Sequence, residues 1–151
     1  MSQSLVKNLI HVIFSTKDRR SLLDDPHVRI EMNAYMMEIC TQLKCPAIIA
    51  NGSENHIHLL CSLSKNISGS NLIKEVKRVS SIWIKTKGSE YKEFYWQGGY
   101  AYFSVSPKDV DAVVKYIGNQ EDHHKIVNFK DELRAFLMKY EVTFDENYLW
   151  D

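Results

Sequence analysis

The chain has 151 residues, 44% of them hydrophobic and 25% charged, which is the size and composition of one globular domain over residues 1–151. Its 19 basic and 19 acidic residues cancel, which weighs against a protein that coats nucleic acid through bulk charge. Three cysteines without a C-x-x-C pair predict reduced thiols and a cytoplasmic location. Because no apolar run is long enough to span a bilayer, no membrane association is expected.

The first half of the chain predicts a strand, a helix and two further strands. Residues 6–15 are rich in β-branched and aromatic side chains, which favours a strand. An aspartate–proline pair opens the helix predicted over 26–43, where apolar residues recur at helical spacing. A second strand is expected at 46–50 and a third at about 54–63, and Asn51-Gly52 between them is a strong hairpin-turn signal.

The second half predicts a helix over 68–88, a strand around 100–105, and helices at 107–124 and 130–140. The order is therefore β-α-β-β-α-β followed by helices. That order is typical of the ferredoxin-like split βαβ arrangement, an α+β fold with an antiparallel sheet and helices on one face. We predict this fold, with the C-terminal helices added to it.

Two histidines lie one residue apart in the third predicted strand, within the sequence N-H-I-H-L-L. Alternate residues of a strand share a face, so His56 and His58 point to one side while Ile57 and Leu59 point to the other. The apolar side can pack under the two helices of the split βαβ unit. The imidazoles then form half of a metal site on the opposite side of the sheet. An H-x-H pair is a weak motif by itself, and two half-exposed sheet histidines are the alternative.

The helix predicted at 107–124 supplies two further candidates. Tyr116 and Gln120 are four residues apart and lie on one flank of that helix. A glutamine can offer its carbonyl oxygen to a metal, and a tyrosine beside it can reach whatever the metal holds. A boundary tyrosine with a solvent-exposed glutamine is the alternative. Three other histidines are interpreted as core or flank residues rather than ligands: His11, His123 and His124.

Several separated motifs together resemble one family. The segments H-I-H-L-L after N-G, W-Q-G-G-Y-A-Y-F-S-V-S and Y-I-G-N-Q-E-D-H-H-K look like those of the single-tyrosine HUH transposases of insertion sequences. The opening H-V-I-F-S-T-K-D-R-R also fits, so the likeness runs from about His11 to Trp150. The tail and the E-D-H-H-K segment are most similar to the REP-associated branch of that family.

The resemblance implies a metal-dependent transposase that cleaves and rejoins single-stranded DNA next to hairpins through a 5′-phosphotyrosine. By position, His56 and His58 match the HUH pair, Gln120 matches the third metal ligand, and Tyr116 matches the nucleophile. This mixed nitrogen and oxygen set suits Mn²⁺ or Mg²⁺. Family members act as homodimers, so a homodimer is expected, with Tyr116 serving its own or the partner's histidines. Many members carry an acid where this chain has Asn55, which changes the surroundings of the first histidine.

Basic residues offer candidate phosphate contacts. Residues 131–151 contain six acids and two bases, a net charge of −4, so residues 1–130 carry +4. Within the basic part, cations cluster in the loop after the first strand and on one side of the second helix. With the family resemblance, phosphate contacts are the preferred interpretation over a solvated helix face. These candidate DNA-binding residues are Lys17, Arg19, Arg20, Lys74, Lys77 and Arg78.

Three other interpretations compete with the enzyme. Histidine-triad nucleotide hydrolases require a third histidine at the position of Leu60, so that interpretation fails. A domesticated protein of the same fold, which binds hairpin DNA without cutting it, would keep the basic residues and tolerate Asn55. A ferredoxin-like dimer with a structural metal is the third. The pairing of Tyr116 with Gln120 favours the enzyme over both.

Overall fold

The computed structural model describes all 151 residues. Short 3-10 turns at Lys17–Arg19, Ser89–Tyr91 and Pro107–Asp109 connect the main elements. None of the helices combines the length and the apolar character that crossing a membrane requires. The main elements in chain order are β1 (Leu9–Ser15), α1 (Pro26–Gln42), β2 (Ala47–Gly52), β3 (His56–Ser62), α2 (Gly69–Lys85), β4 (Ala101–Val105), α3 (Val110–Gly118), α4 (Gln120–His123) and α5 (Phe129–Lys139).

The four strands form one antiparallel sheet in the order β2-β3-β1-β4. Strand β3 is internal, and its residue His58 lies opposite Ile13 of β1 and Asn51 of β2. This strand order confirms the predicted ferredoxin-like split βαβ arrangement. An internal strand is fixed on both edges by hydrogen bonds, so β3 is a rigid support for any side chain that it carries.

Helices α1 and α2 cover one face of the sheet, as the alternation in β3 predicts. Ile57 and Leu59 are fully buried there, in the main hydrophobic core. Both helices begin at N-caps, because the side chains of Asp25 and Ser68 accept hydrogen bonds from backbone N–H groups of the first turn. The helical residues that complete this core include Met32, Met36, Leu72, Ile73 and Val76.

The C-terminal helices pack against the opposite face. Ile117 of α3 lies against Leu60 of β3 in one apolar cluster. In a second cluster, Phe129 and Leu133 of α5 lie against Ile13 of β1. The face of the sheet that carries His56 and His58 is therefore covered by α3, α4 and α5.

The predicted turn at Asn51-Gly52 is wrong, because both residues belong to β2. The turn lies at 53–55 instead. Gly52 allows strands β2 and β3 to approach closely, since a Cβ there would stand 2.0 Å from the carbonyl oxygen of His56. Asn51 has a different use, because its side-chain amide donates to the carbonyl oxygen of Ile117 at 2.9 Å.

The predicted helix at 107–124 is broken into a 3-10 turn, α3 and α4. Helix α3 ends at Gly118 because Asn119 caps it and Asn51 binds its last carbonyl oxygens, those of Ile117 and Gly118. Strand β2 thus fixes the end of the helix that carries Tyr116.

Removing the side chain of Leu59 is expected to destabilise the protein strongly. Leu59 is fully buried in β3 under α1 and α2, so Leu59→Ala should lower the free energy of unfolding by about 2–5 kcal/mol. Ile48→Ala is the control, because Ile48 is 42% exposed on the edge strand β2 and should lose less than about 1 kcal/mol. Urea denaturation measures both, and a smaller loss for Leu59→Ala would contradict this core.

Candidate active site

Three residues that the sequence singles out meet on the covered face of the sheet. His56, His58 and Gln120 are fully buried, and Nε2 of His56 lies 3.1 Å from Oε1 of Gln120. The ring of Tyr116 lies beside them, with its centroid 5.8 Å from that of His58. The break between α3 and α4 leaves Tyr116 and Gln120 on the same side. The structure thus brings together all four residues, from elements far apart in the chain.

The surroundings of His56 fix its orientation. Its Nδ1 lies 2.8 Å from Oδ1 of Asn55 and 2.9 Å from the hydroxyl of Ser53. An amide oxygen can only accept a hydrogen bond, so Asn55 favours the tautomer with a proton on Nδ1. That tautomer leaves the Nε2 lone pair facing the interior of the site. Asn55 therefore offers a neutral amide oxygen as the acceptor, where an acidic residue would offer a charged one.

His58 is oriented by a second histidine. Nε2 of His11 lies 2.8 Å from Nδ1 of His58, and both rings are buried. His11 is thus a buried histidine as predicted, and it also contacts the site. Burial and the neighbouring His58 lower the pKa of His11 to about 3, and burial also lowers the pKa of His56 and of His58. Neutral imidazoles keep the lone pair that a metal requires.

Glu132 of α5 enters the centre of the site, which the sequence did not predict. Its side chain is almost completely buried, and Oε1 lies 2.9 Å from Nε2 of His58 and 3.1 Å from Nε2 of His124. Nε2 of His56 lies 3.6 Å from the same oxygen. Three imidazole nitrogens therefore surround one carboxylate oxygen.

The second oxygen of Glu132 connects this cluster to the tyrosine. Oε2 accepts hydrogen bonds from the hydroxyl of Tyr116 and from Nε2 of Gln120, the latter at 3.2 Å. The Tyr116 hydroxyl also lies 3.2 Å from Nε2 of His123. The hydroxyl is thus held on two sides, next to the buried histidine pair.

The charges of Glu132 and Tyr116 follow from their surroundings. Burial opposes ionisation of Glu132, but hydrogen bonds from His124, His58 and Tyr116 outweigh it and hold the carboxyl pKa well below its usual range. Burial, followed by the hydrogen bond to Glu132, raises the pKa of Tyr116 above its ordinary value. In this arrangement Glu132 is an anion and Tyr116 is a neutral phenol.

The donor set fits a divalent cation. The ligand atoms of His56, His58, His124 and Glu132 all lie within 4.8 Å of one another. Imidazole nitrogens and a carboxylate oxygen are ordinary ligands of Zn²⁺ and Mn²⁺. Gln120 adds an amide oxygen at the edge of this cluster, next to His56. His124 is interpreted from the sequence as a flank residue, but in the structure its side chain lies in this cluster.

A cavity of about 890 Å³ lies beside the cluster, between α3, α5 and the sheet. Tyr116 and Glu132 form one part of its wall, so the tyrosine can be reached from it. Its other lining residues include His11, Ser104, Val113, His123, Phe136 and Tyr140.

The basic residues after β1 lie at the same end of the sheet as His56, since Ser15 pairs with His56. Lys17 and Arg20 are exposed. Arg19 is partly covered by the tail, because its guanidinium donates to the carbonyl oxygen of Trp150 at 3.1 Å and stands 5.5 Å from the centre of the indole.

The three cations of α2 differ in their surroundings. Lys74 is exposed, and Arg78 is exposed but paired with Glu75 at 2.8 Å. Lys77 donates to the carbonyl oxygens of Gln97 and Gly99, at 2.7 and 2.8 Å, and burial lowers its pKa to about 8. Lys77 therefore holds the loop before β4, while Lys74 faces solvent.

Solved structures with a similar fold include two transposases. One is the crystal structure of a candidate transposase from Deinococcus radiodurans R1, with 22% identity, a TM-score of 0.61, and coverage of 80% of this chain and 98% of that chain. The other is a REP-associated tyrosine transposase bound to a REP hairpin, with 15% identity and a TM-score of 0.59. That likeness covers 97% of this chain and 94% of that one. At these identities the likeness establishes the fold.

The sequence itself gives the family. No curated protein matches it significantly, but the family model described as "Transposase IS200 like" matches residues 4–120. The matched region contains β1 to α3 and ends at Gln120, so it includes both histidines of β3 and Tyr116. It covers more than half of the chain, and it agrees with the resemblance in the sequence motifs. The chain belongs to the IS200-like transposase family.

Proposed function

We propose that this transposase cleaves and rejoins single-stranded DNA next to hairpins, in a metal-dependent reaction that passes through a 5′-phosphotyrosine. One observation carries the proposal: the Tyr116 hydroxyl lies in one buried cluster with His56, His58 and Gln120. The REP hairpin bound to the structural relative supports hairpin DNA as the substrate.

His56, His58 and Gln120 are the proposed ligands of a divalent cation, Mn²⁺ or Mg²⁺. Bound there, the cation would position the scissile phosphate and stabilise the charge that develops on it. Asn55 and His11 hold the Nδ1 sides of the two imidazoles, which keeps their Nε2 atoms directed into the site.

Tyr116 is the proposed nucleophile. Its oxygen attacks the phosphorus, the phenol proton passes to solvent water, and the bond from phosphorus to the 3′ oxygen breaks. The leaving oxygen gains a proton and becomes a free 3′-OH, while the 5′ phosphate stays on the tyrosine. Because the phosphotyrosine keeps the phosphodiester energy, a 3′-OH can reverse the step and join strands without a nucleotide cofactor.

Tyr116 serves the histidines of its own chain in this proposal. The contacts of its hydroxyl with Glu132 and His123, which lie within one chain, support this arrangement. A homodimer stays part of the proposal, because the family resemblance implies one.

The non-cutting hairpin-binding protein is the second candidate, and the buried cluster argues against it. A protein that only binds DNA has no need for a tyrosine hydroxyl beside two oriented imidazoles. Adduct formation decides between the two. Purified protein incubated with Mn²⁺ and a single-stranded hairpin from the DNA flanking its gene should form a complex that survives denaturing electrophoresis. Hairpin binding without any such complex would favour the non-cutting protein.

Replacing Arg19 and Arg20 together is expected to weaken hairpin binding. Both lie in the segment after β1, near the His56 end of the sheet. Each phosphate-binding cation that is removed should reduce the salt dependence of binding by about one unit of slope, so the double variant should lose about two units. Fluorescence anisotropy at several salt concentrations measures the affinity and the slope of Arg19→Ala/Arg20→Ala. Lys65→Ala is the control, because Lys65 is exposed beyond the opposite end of β3. Equally weakened binding in both variants would place the DNA elsewhere.

A further inference from the structure

Two residues of the central cluster lie outside the part of the chain that matches the family. The match ends at residue 120, whereas His124 follows α4 and Glu132 lies on α5. Helix α5 is fixed to the sheet, since Phe129 and Leu133 are buried in one apolar cluster with Ile13. The C-terminal segment therefore holds both side chains against β3 from a packed helix.

The donor atoms of these two residues converge with those of the histidine pair. Three Nε2 atoms surround Oε1 of Glu132: that of His58 at 2.9 Å, that of His124 at 3.1 Å and that of His56 at 3.6 Å. Two ligands that are each about 2.1 Å from one ion stand at most about 4.2 Å apart. These three distances lie within that limit. The four ligand atoms lie within 4.8 Å of one another, so a closure of at most about 0.6 Å would bring every pair within it.

The partners of Glu132 also point to an ion. A buried carboxylate is normally paired with a cation or bound to a metal. Glu132 contacts four histidines, Tyr116 and Gln120, and no lysine or arginine lies among its partners. A divalent cation among the three Nε2 atoms would supply the missing positive charge.

We propose that Glu132 and His124 bind the same divalent cation as His56 and His58, so that the C-terminal segment provides two of the ligands. This proposal rests on the metal site of the proposed function and adds two ligands to it. Three imidazoles and one carboxylate favour ions that accept nitrogen ligands, such as Mn²⁺, Co²⁺ or Zn²⁺, over Mg²⁺.

Titration with Co²⁺ tests the proposal without DNA and without an activity assay. The visible absorption of Co²⁺ reports the ligands around it, and the titration of the full chain gives its affinity. Glu132→Gln and His124→Asn should each weaken Co²⁺ binding by at least about 10-fold and change the spectrum. Glu141→Gln is the matched control, because Glu141 is exposed just beyond the end of α5, and it should bind Co²⁺ as the wild type does. A large excess of Mg²⁺ should fail to displace Co²⁺.

The outcomes separate this proposal from the proposed function. If Glu132→Gln and His124→Asn bind Co²⁺ with unchanged affinity and spectrum while His58→Ala does not, the two added ligands are wrong and the original site stands. If the wild-type protein binds no divalent cation, both fall. Thermal unfolding without metal shows whether each variant folds, and His124→Asn decides the result if Glu132→Gln does not. Co²⁺ should raise the midpoint of unfolding of the wild type more than that of either variant.

Discussion

Tyr116→Phe is expected to abolish the covalent protein–DNA complex while leaving hairpin binding intact. The change removes only the oxygen that attacks the phosphorus, so we expect the rate of adduct formation to fall by on the order of 10³-fold or more. Because the ring stays, its packing against Phe136 and His58 is retained. Loss of the hydrogen bond to the Glu132 carboxylate should cost about 1.5–3 kcal/mol in stability, which we expect to leave the protein folded.

Denaturing electrophoresis of protein incubated with labelled single-stranded hairpin and Mn²⁺ measures the adduct. Tyr148→Phe is the matched control, because Tyr148 is 71% exposed in the C-terminal tail, and it should form the adduct at the wild-type rate. Hairpin affinity of both variants is measured by anisotropy. An adduct that persists in Tyr116→Phe would mean that another residue is the nucleophile.

The sequence predicted the fold well because its signals are local. The caps at Asp25 and Ser68 lie within one turn of the helices that they start, and the alternation around His56 and His58 lies within one strand. Asn51-Gly52 misled the prediction because glycine has two uses. A turn and a close approach of two backbones both favour it, and only the packing of β2 against β3 distinguishes them.

The arrangement of the candidate site could be predicted in part for the same reason. The spacing of His56 and His58 and of Tyr116 and Gln120 follows from strand and helix periodicity. The contact between these two pairs depends on how α3 packs on the sheet, which the resemblance to a family implied and local patterns do not contain.

Glu132 was missed although the sequence holds a signal for it. In α5 the apolar residues Phe129, Leu133 and Phe136 mark one stripe, and Glu132 lies within that stripe at three residues from Phe129 and four from Phe136. The adjacent Asp131 is exposed, whereas Glu132 is buried. An acid on the apolar side of a helix has to be satisfied by polar partners, so the pattern alone points to a polar site beneath α5.

His58→Ala is expected to remove divalent-cation binding and, with it, DNA cleavage. His58 lies at the centre of the cluster, with Nδ1 held by His11 and Nε2 beside Glu132. Losing this ligand removes the cation that stabilises charge on the phosphate, so the rate of adduct formation should fall by on the order of 10²-fold or more. Chelation of divalent cations in the wild-type protein should have the same effect, and added Mn²⁺ should restore only the wild type.

Stability has to be separated from chemistry in this variant, because the imidazole of His58 is fully buried. Leu59→Ala provides that comparison: it lies one residue away on the opposite face of β3 and should lose as much stability, yet it should keep cation binding. His27→Ala, which removes an exposed imidazole at the start of α1, controls for binding to histidines outside the site. Metal titration, urea denaturation and adduct formation on the three variants together give the result. If His58→Ala binds the cation as Leu59→Ala does, the strand β3 histidines are structural and the cation site lies elsewhere.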